Sequence, residues 1–165
     1  MSLWRLMQIS DIPLVAEIIY VAHPKYYEDT AVFVERMALY SDGCRCLEQN
    51  GKVIGYGIAH PSRLGRPPLL NTCLGHLPED ADCLHLHDVA LLPEGRGGGL
   101  PLLFLDALRQ QAAGLRFDHL SLIAVAGREA YWTRQGFSIF TGDGELQRRL
   151  ASYGGDSVYM TAALS

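Results

Sequence analysis

Leu92-Pro93-Glu94-Gly95-Arg96-Gly97-Gly98-Gly99-Leu100-Pro101 joins two apolar segments of different period. The run before it, Leu84 to Leu92, is nearly continuous, as in a buried strand, and the run after it, Leu102 to Ala113, has the spacing of a helix. Consecutive glycines at a strand-to-helix junction let the backbone approach a ligand closely. The helix start that follows offers unbonded N–H groups and the positive end of a dipole. With Arg96 beside them, these features fit an anion and predict a phosphate-bearing ligand. An unliganded glycine-rich turn would have the same composition, so the flanking sequence has to decide.

Upstream, Arg5 to Ile9 reads as a short strand. Asp11 reads as the N-cap of a helix with Pro13 in its first turn and Val15, Ile18, Ile19 and Ala22 on its apolar face. His23 to Tyr27 breaks that helix, and a second runs from Thr30 to Tyr40. Cys44 to Glu48 and Val53 to His60 form a hairpin about Asn50-Gly51, a strong turn signal. Pro61 to Asp82, with four prolines, reads as a surface loop. Downstream, Leu120 to Val125 is a buried strand, Glu129 to Gln135 a helix stopped by Gly136, and Phe137 to Phe140 and Ser157 to Ala162 the last two strands.

The chain has 165 residues, enough for one domain (1–165) with a sizeable core. Its hydrophobic content of 48% and charged content of 19% are those of a globular protein. A net charge of −4 implies no broad basic surface, so no nucleic-acid partner is expected. No apolar run approaches the roughly 18 residues of a membrane span, and no secretory leader is evident, so no membrane association is expected. Cys44, Cys46, Cys73 and Cys83 form no disulfide framework, which points to a reducing cytoplasm.

The strand, the proline, the Arg-Gly-x-Gly turn and the apolar helix together resemble the acetyl-CoA loop of the GNAT N-acetyltransferase superfamily. Ala130-Tyr131-Trp132-Thr133-Arg134-Gln135-Gly136-Phe137 resembles that family's next landmark, a short helix closed by Gly-Phe. The resemblance runs from about Met7 to Leu164. It implies an α/β fold with a mixed, centrally splayed β-sheet flanked by helices. It implies acetyl-CoA as the donor, held by Arg96, Gly97, Gly98, Gly99, Leu100 and Pro101, with backbone groups of Val89, Ala90 and Leu91 along the pantetheine arm.

Cys83, His85 and His87 alternate along the strand before this loop and share one face if it is regular, with Asp88 on the other unless a bulge intervenes. Two imidazoles beside a phosphate loop suit a proton relay, because an amine with a pKa near ~10 must lose a proton before attacking a thioester. The pair resembles the base-relay histidines of the arylalkylamine branch; either imidazole could instead be a core histidine satisfied by backbone. Zinc on Cys83, His85 and His87 lacks a fourth ligand, and no metal is expected.

Two positions depart from the family. Pro101 has no N–H to offer the diphosphate. Trp132 stands where the family often has the tyrosine that protonates the leaving thiolate; an indole packs on the cofactor but is no acid. Tyr131 beside it reads as a core aromatic. Tyr26, Tyr27 and Tyr153 fall where the family builds its acceptor pocket. The expected function is transfer of acetyl from acetyl-CoA to a primary amine, with a small molecule as the acceptor and a homodimer through an exposed last strand as a possible assembly. The competing class is a non-catalytic acyl-CoA-binding module, which Trp132 and Pro101 favour and the histidine pair does not. A Rossmann dinucleotide fold needs more βαβ units than this length supplies.

Overall fold

A computed structural model describes residues Ser2–Leu164. Its strands are β1 (Ser2–Leu6), β2 (Cys44–Gln49), β3 (Lys52–Ser62), β4 (Cys83–Leu91), β5 (His119–Ala124), β6 (Ser138–Ile139) and β7 (Val158–Ala163). Its α-helices are α1 (Ile12–Ala22), α2 (Thr30–Leu39), α3 (Leu100–Gly114), α4 (Glu129–Arg134) and α5 (Gly144–Ala151). The strands form one open sheet in the order β1-β2-β3-β4-β5-β7-β6. Only β4 and β5 are parallel; the other pairings are antiparallel, so the sheet is mixed.

Each face carries a core. Ile12, Val15, Ile18 and Ile19 of α1 and Phe33 of α2 cover Tyr56, Ile58 and Ala90 on one face. Phe104, Leu105 and Leu108 of α3 cover Ala59, Leu84, Leu86 and Leu122 on the other. Gly57 is a glycine because the Phe104 ring lies over it; a Cβ there would come within 2.5 Å of that ring. Leu146 and Leu150 of α5 pack on Tyr159, and α5 therefore lies on the α1/α2 side.

Several expectations from sequence shift. The first strand ends at Leu6, and Asp11 is the N-cap residue of α1 but its side chain makes no capping bond to that helix; its carboxylate accepts from the Gln8 N–H (2.7 Å) and pairs with Arg5 (2.8 Å). Helix α5 had no counterpart. The last strand is not an open edge along its whole length, because β6 pairs with it at Thr161 and Met160.

The segment 63–82 is a strap rather than a free loop. Arg66 pairs with Asp143 (2.7 Å), Arg149 donates to Pro67 O (2.9 Å), and Tyr153 Oη donates to Pro68 O (3.0 Å) on the α5 side. On the α2 side, the Asn71 N–H donates to Glu28 (2.8 Å), Arg36 donates to Thr72 O (3.3 Å), and the Gly75 N–H donates to Glu35 (3.0 Å).

Two irregularities in β4 shape everything that follows. Its pairing with β5 stops at Leu86–Leu122, although β4 continues to Leu91. Its pairing with β3 shifts register between Ile58 and Ala59, so that Leu86 and Asp88 face consecutive residues and His87 is the extra one. That is a β-bulge, and it reverses the alternation beyond it. His85 pairs with His60, and Asp88 with Ile58, on the same face. The regular-strand expectation for Asp88 is therefore corrected: it faces the same side as the histidines.

Candidate active site

Where β4 and β5 part, a cleft of about 520 Å³ opens through the sheet. Leu92 N–H donates to Ile54 O (2.8 Å), which sets the alternation of the antiparallel ladder. Asp88 and Ala90 direct their backbone groups to β3, and Val89 and Leu91 direct theirs into the gap. The Leu91 carbonyl accepts from Arg96 Nε (3.2 Å), and the Val89 carbonyl lies 3.4 Å from His23 Nε2. The N–H groups of Val89 and Leu91 thus line an opening with no strand opposite.

On the α3/α4 side the wall includes Arg96, Gly97, Gly99, Pro101, Arg128 and Trp132. Gly97 and Gly99 have φ of 85° and 70°, and a Cβ on either would meet nothing within 4 Å. Backbone conformation and the open space in front of it, not internal packing, account for glycine here. Gly99 is the N-cap of α3, Leu100 its first residue and Pro101 its second. Pro101 thus removes one N–H, while Gly98, Gly99 and Leu100 keep theirs. Trp4 Nε1 donates to Leu100 O (2.9 Å) and its ring stacks on Phe104, fixing the start of α3. This side offers an arginine and the free N–H groups of a helix start to an anion. Trp132 lies on the wall in edge contact with Tyr131 and Phe137. Tyr131 is also on the wall and only half-buried, unlike a core aromatic.

On the α1/α2 side the wall includes His23, Tyr26, Glu28, His87, Asp88 and Tyr153. His87 Nε2 lies 2.6 Å from Glu28 Oε1, with side-chain exposures of 1% and 2%. Burial pushes the Glu28 carboxyl up, but His87, the Asn71 N–H and Arg36 together outweigh it and hold Glu28 below the ordinary range. Glu28 is therefore a carboxylate, the Nε2 of His87 carries the hydrogen between them, and a neutral His87 has its lone pair on Nδ1. That Nδ1 is buried without a partner among the described residues. Asp88 accepts from Tyr56 Oη and lies 3.8 Å from His23 Nε2. Burial raises its carboxyl, with His23 and the Tyr56 hydroxyl opposing.

The structure separates the histidine pair. His87 lines the cleft; His85 does not. His85 is 1% exposed, has Nδ1 at 2.9 Å from Ser121 Oγ, stacks on Tyr159, and is pushed well below the ordinary imidazole range by burial and its His60 and His87 neighbours. Among the acceptor tyrosines, Tyr26 and Tyr153 reach the cleft, and Tyr27 is 42% exposed outside it. Cys83 is buried against Ser62 O and Ser121, and no group of three His, Cys, Asp or Glu side chains among the described residues is placed to hold a metal ion. Sequence reasoning missed Glu28, His23 and Tyr56. Only Glu28, just ahead of α2, carried any signal, as an acidic residue among aromatic ones.

No curated protein sequence matches this one. The fold is shared with the loading GNATL domain of CurA from Lyngbya majuscula (TM-score 0.80, 14% identity, 99% of this chain and 98% of that one). It is shared also with the ribosomal-protein-S18-alanine N-acetyltransferase from Escherichia coli (0.69, 18%, 100% and 95%). Rv2747 from Mycobacterium tuberculosis, solved with CoA and NLQ, is a third such structure (0.71, 17%, 99% and 99%). Over residues 12–137, more than half of the sequence, the chain matches the model of the acetyltransferase (GNAT) family, and it belongs to that family.

Proposed function

We propose that this protein is a single-domain N-acetyltransferase that moves acetyl from acetyl-CoA to a small primary amine by direct attack. The observation that carries the reading is the opening between β4 and β5. It joins a glycine loop on one face of the sheet to a buried His–Glu pair on the other. Its four free cysteines and the lack of any described helix long and apolar enough to cross a membrane accord with a cytoplasmic setting.

Arg96 and the N–H groups of Gly97 to Leu100 hold the diphosphate. The Val89 and Leu91 N–H groups face the gap where the thioester carbonyl would lie, and one of them polarises it as an oxyanion donor does. His87 Nδ1 takes a proton from the bound ammonium, and Glu28 holds the ring in the tautomer that leaves Nδ1 free. The amine nitrogen then bonds the acyl carbon as the carbon–sulfur bond breaks. Of the two protons the ammonium loses, one leaves through His87 and the other ends on the CoA sulfur. A thiolate with a pKa near ~8.5 departs without a dedicated acid, so tryptophan at position 132 is compatible with turnover.

The test of the cofactor site is calorimetry with Gly97→Val/Gly99→Val. Both side chains would enter the open space before the α3 N-terminus, and acetyl-CoA affinity is expected to fall at least ~100-fold while unfolding stays cooperative. Unchanged affinity in the folded double variant would place the site elsewhere. The competing reading, a non-catalytic acyl-CoA-binding module, predicts binding without thiol release on any amine.

A further inference from the structure

The two carboxylates on the acceptor wall are not equivalent. Glu28 is matched by His87 and the Asn71 N–H, with the Arg36 guanidinium behind it. Asp88 has one hydrogen-bond partner, the neutral hydroxyl of Tyr56, and one imidazole at longer range, His23 Nε2 at 3.8 Å, and its side chain keeps only 17% of its surface. Burial lifts its carboxyl above the ordinary range, and His23 and the Tyr56 hydroxyl offset that only in part. Next to it on the bulge, His87 Nδ1 is a buried acceptor with no partner among the described residues. A carboxylate with no arginine or lysine against it, beside an acceptor short of a donor, is what an ammonium completes, since it brings positive charge and three donors and accepts nothing.

The same wall holds no arginine or lysine for a negative group, and its His23 already stands beside Asp88 and the Val89 carbonyl. The arginines that line the cleft, Arg96 and Arg128, belong to the α3/α4 side. Arg36 is fully buried and engaged by Glu35 and Thr72 O. A carboxylate brought in with the amine would be desolvated next to Asp88 and Glu28 with no arginine or lysine to meet it. The strap borders this end of the cleft: Leu70 lies on the wall beside Tyr153, and the strap's bonds to the α2 and α5 sides hold it across the path of a chain extending from the amine.

We infer that Asp88 seats the ammonium of a small acceptor that carries no carboxylate, and that free amino acids and peptide N-termini are poor substrates. This rests on the acetyl-transfer reading above. It adds the class of acceptor and the residue that selects it.

The test uses matched acceptors with acetyl-CoA: 2-phenylethylamine against L-phenylalanine, 3-methylbutylamine against L-leucine, and tripeptides beginning with Phe or Leu. The expected kcat/KM of at least one amine exceeds that of its amino acid and its peptide by at least about 100-fold, the order of cost of burying a polar or charged group without a partner. In Asp88→Asn, which keeps the size of the side chain and a partner for Tyr56, the amine KM is expected to rise ~10–100-fold with the loss of a charge-assisted contact, and acetyl-CoA affinity to stay unchanged. Amino acids or peptides accepted as well as the amines, or an unchanged amine KM in folded Asp88→Asn, would overturn the inference. No transfer to any acceptor while acetyl-CoA still binds would overturn the acetyl-transfer reading itself, and this inference with it.

Discussion

Identical side chains two residues apart acquire different chemistry in this site. His85 and His87 share a strand, a spacing and a residue type, yet one is sealed against Ser121 and Tyr159 and the other stands on the cleft wall against Glu28. The His-x-His pattern made His87 legible in the sequence, but nothing in the pattern separates it from its neighbour. The bulge at His87 accounts for the rest, because it turns Asp88 onto the face of the histidines and has no glycine or other residue signature to announce it. Trp132 was legible as a departure from the family, and its half-buried place beside Phe137 supports a packing role. Trp132→Phe is accordingly expected to keep turnover within about tenfold, since an indole is no acid to lose. A collapse of kcat with acetyl-CoA affinity intact would contradict that role.

Among the elements, the ones set by local rules were the readable ones. The Asn50-Gly51 turn, the apolar stripes of α1 and α3 and the glycines before α3 each follow from backbone sterics or periodicity within a few residues. Helix α5 escaped because its core contribution is only Leu146 and Leu150 in a stretch otherwise rich in charge. Its signal was Asp143, whose carboxylate caps the Leu146 N–H at 3.1 Å. The strap escaped for another reason. Its prolines indicate only a lack of regular structure, while its position is set by partners as distant as Asp143, Arg149 and Tyr153. Long-range bonds of that kind leave no period in the sequence, and they are what shape the acceptor end of the cleft.

For the whole molecule, the cost of this arrangement is sensitivity to acid. His60 is buried with Nδ1 at 2.9 Å from Pro61 O, and its ring faces His85 and His87, with Arg36 adding positive charge. Burial above all, with His87 and Arg36 nearby and against the Pro61 carbonyl bond, pushes it from 6.5 to about 3. The fold thus refuses a proton that the unfolded chain takes up. The stability from a neutral His60 is complete above pH 6.5 and drains away as pH falls from there toward about 3. His85, lowered for the same reasons, acts in the same direction. His60→Asn keeps a donor for Pro61 O and removes the titration. Urea unfolding at about pH 7 and about pH 5 should show a smaller acid loss in the variant than in the wild type. An equal loss would mean that His60 is not a source of the acid sensitivity.

The central claim is that His87, oriented by Glu28, takes the amine proton at the opening in the sheet. The measurement closest to it is the pH–rate profile of His87→Gln with saturating acetyl-CoA and a competent amine, across about pH 6–9 where imidazoles titrate. General base catalysis is worth ~10²–10⁴-fold, so kcat should fall by about that factor. Acetyl-CoA affinity should hold, and the deficit should shrink as pH rises and the amine arrives already neutral. An unchanged kcat and an unchanged profile in the folded variant would contradict the account and leave the base unassigned.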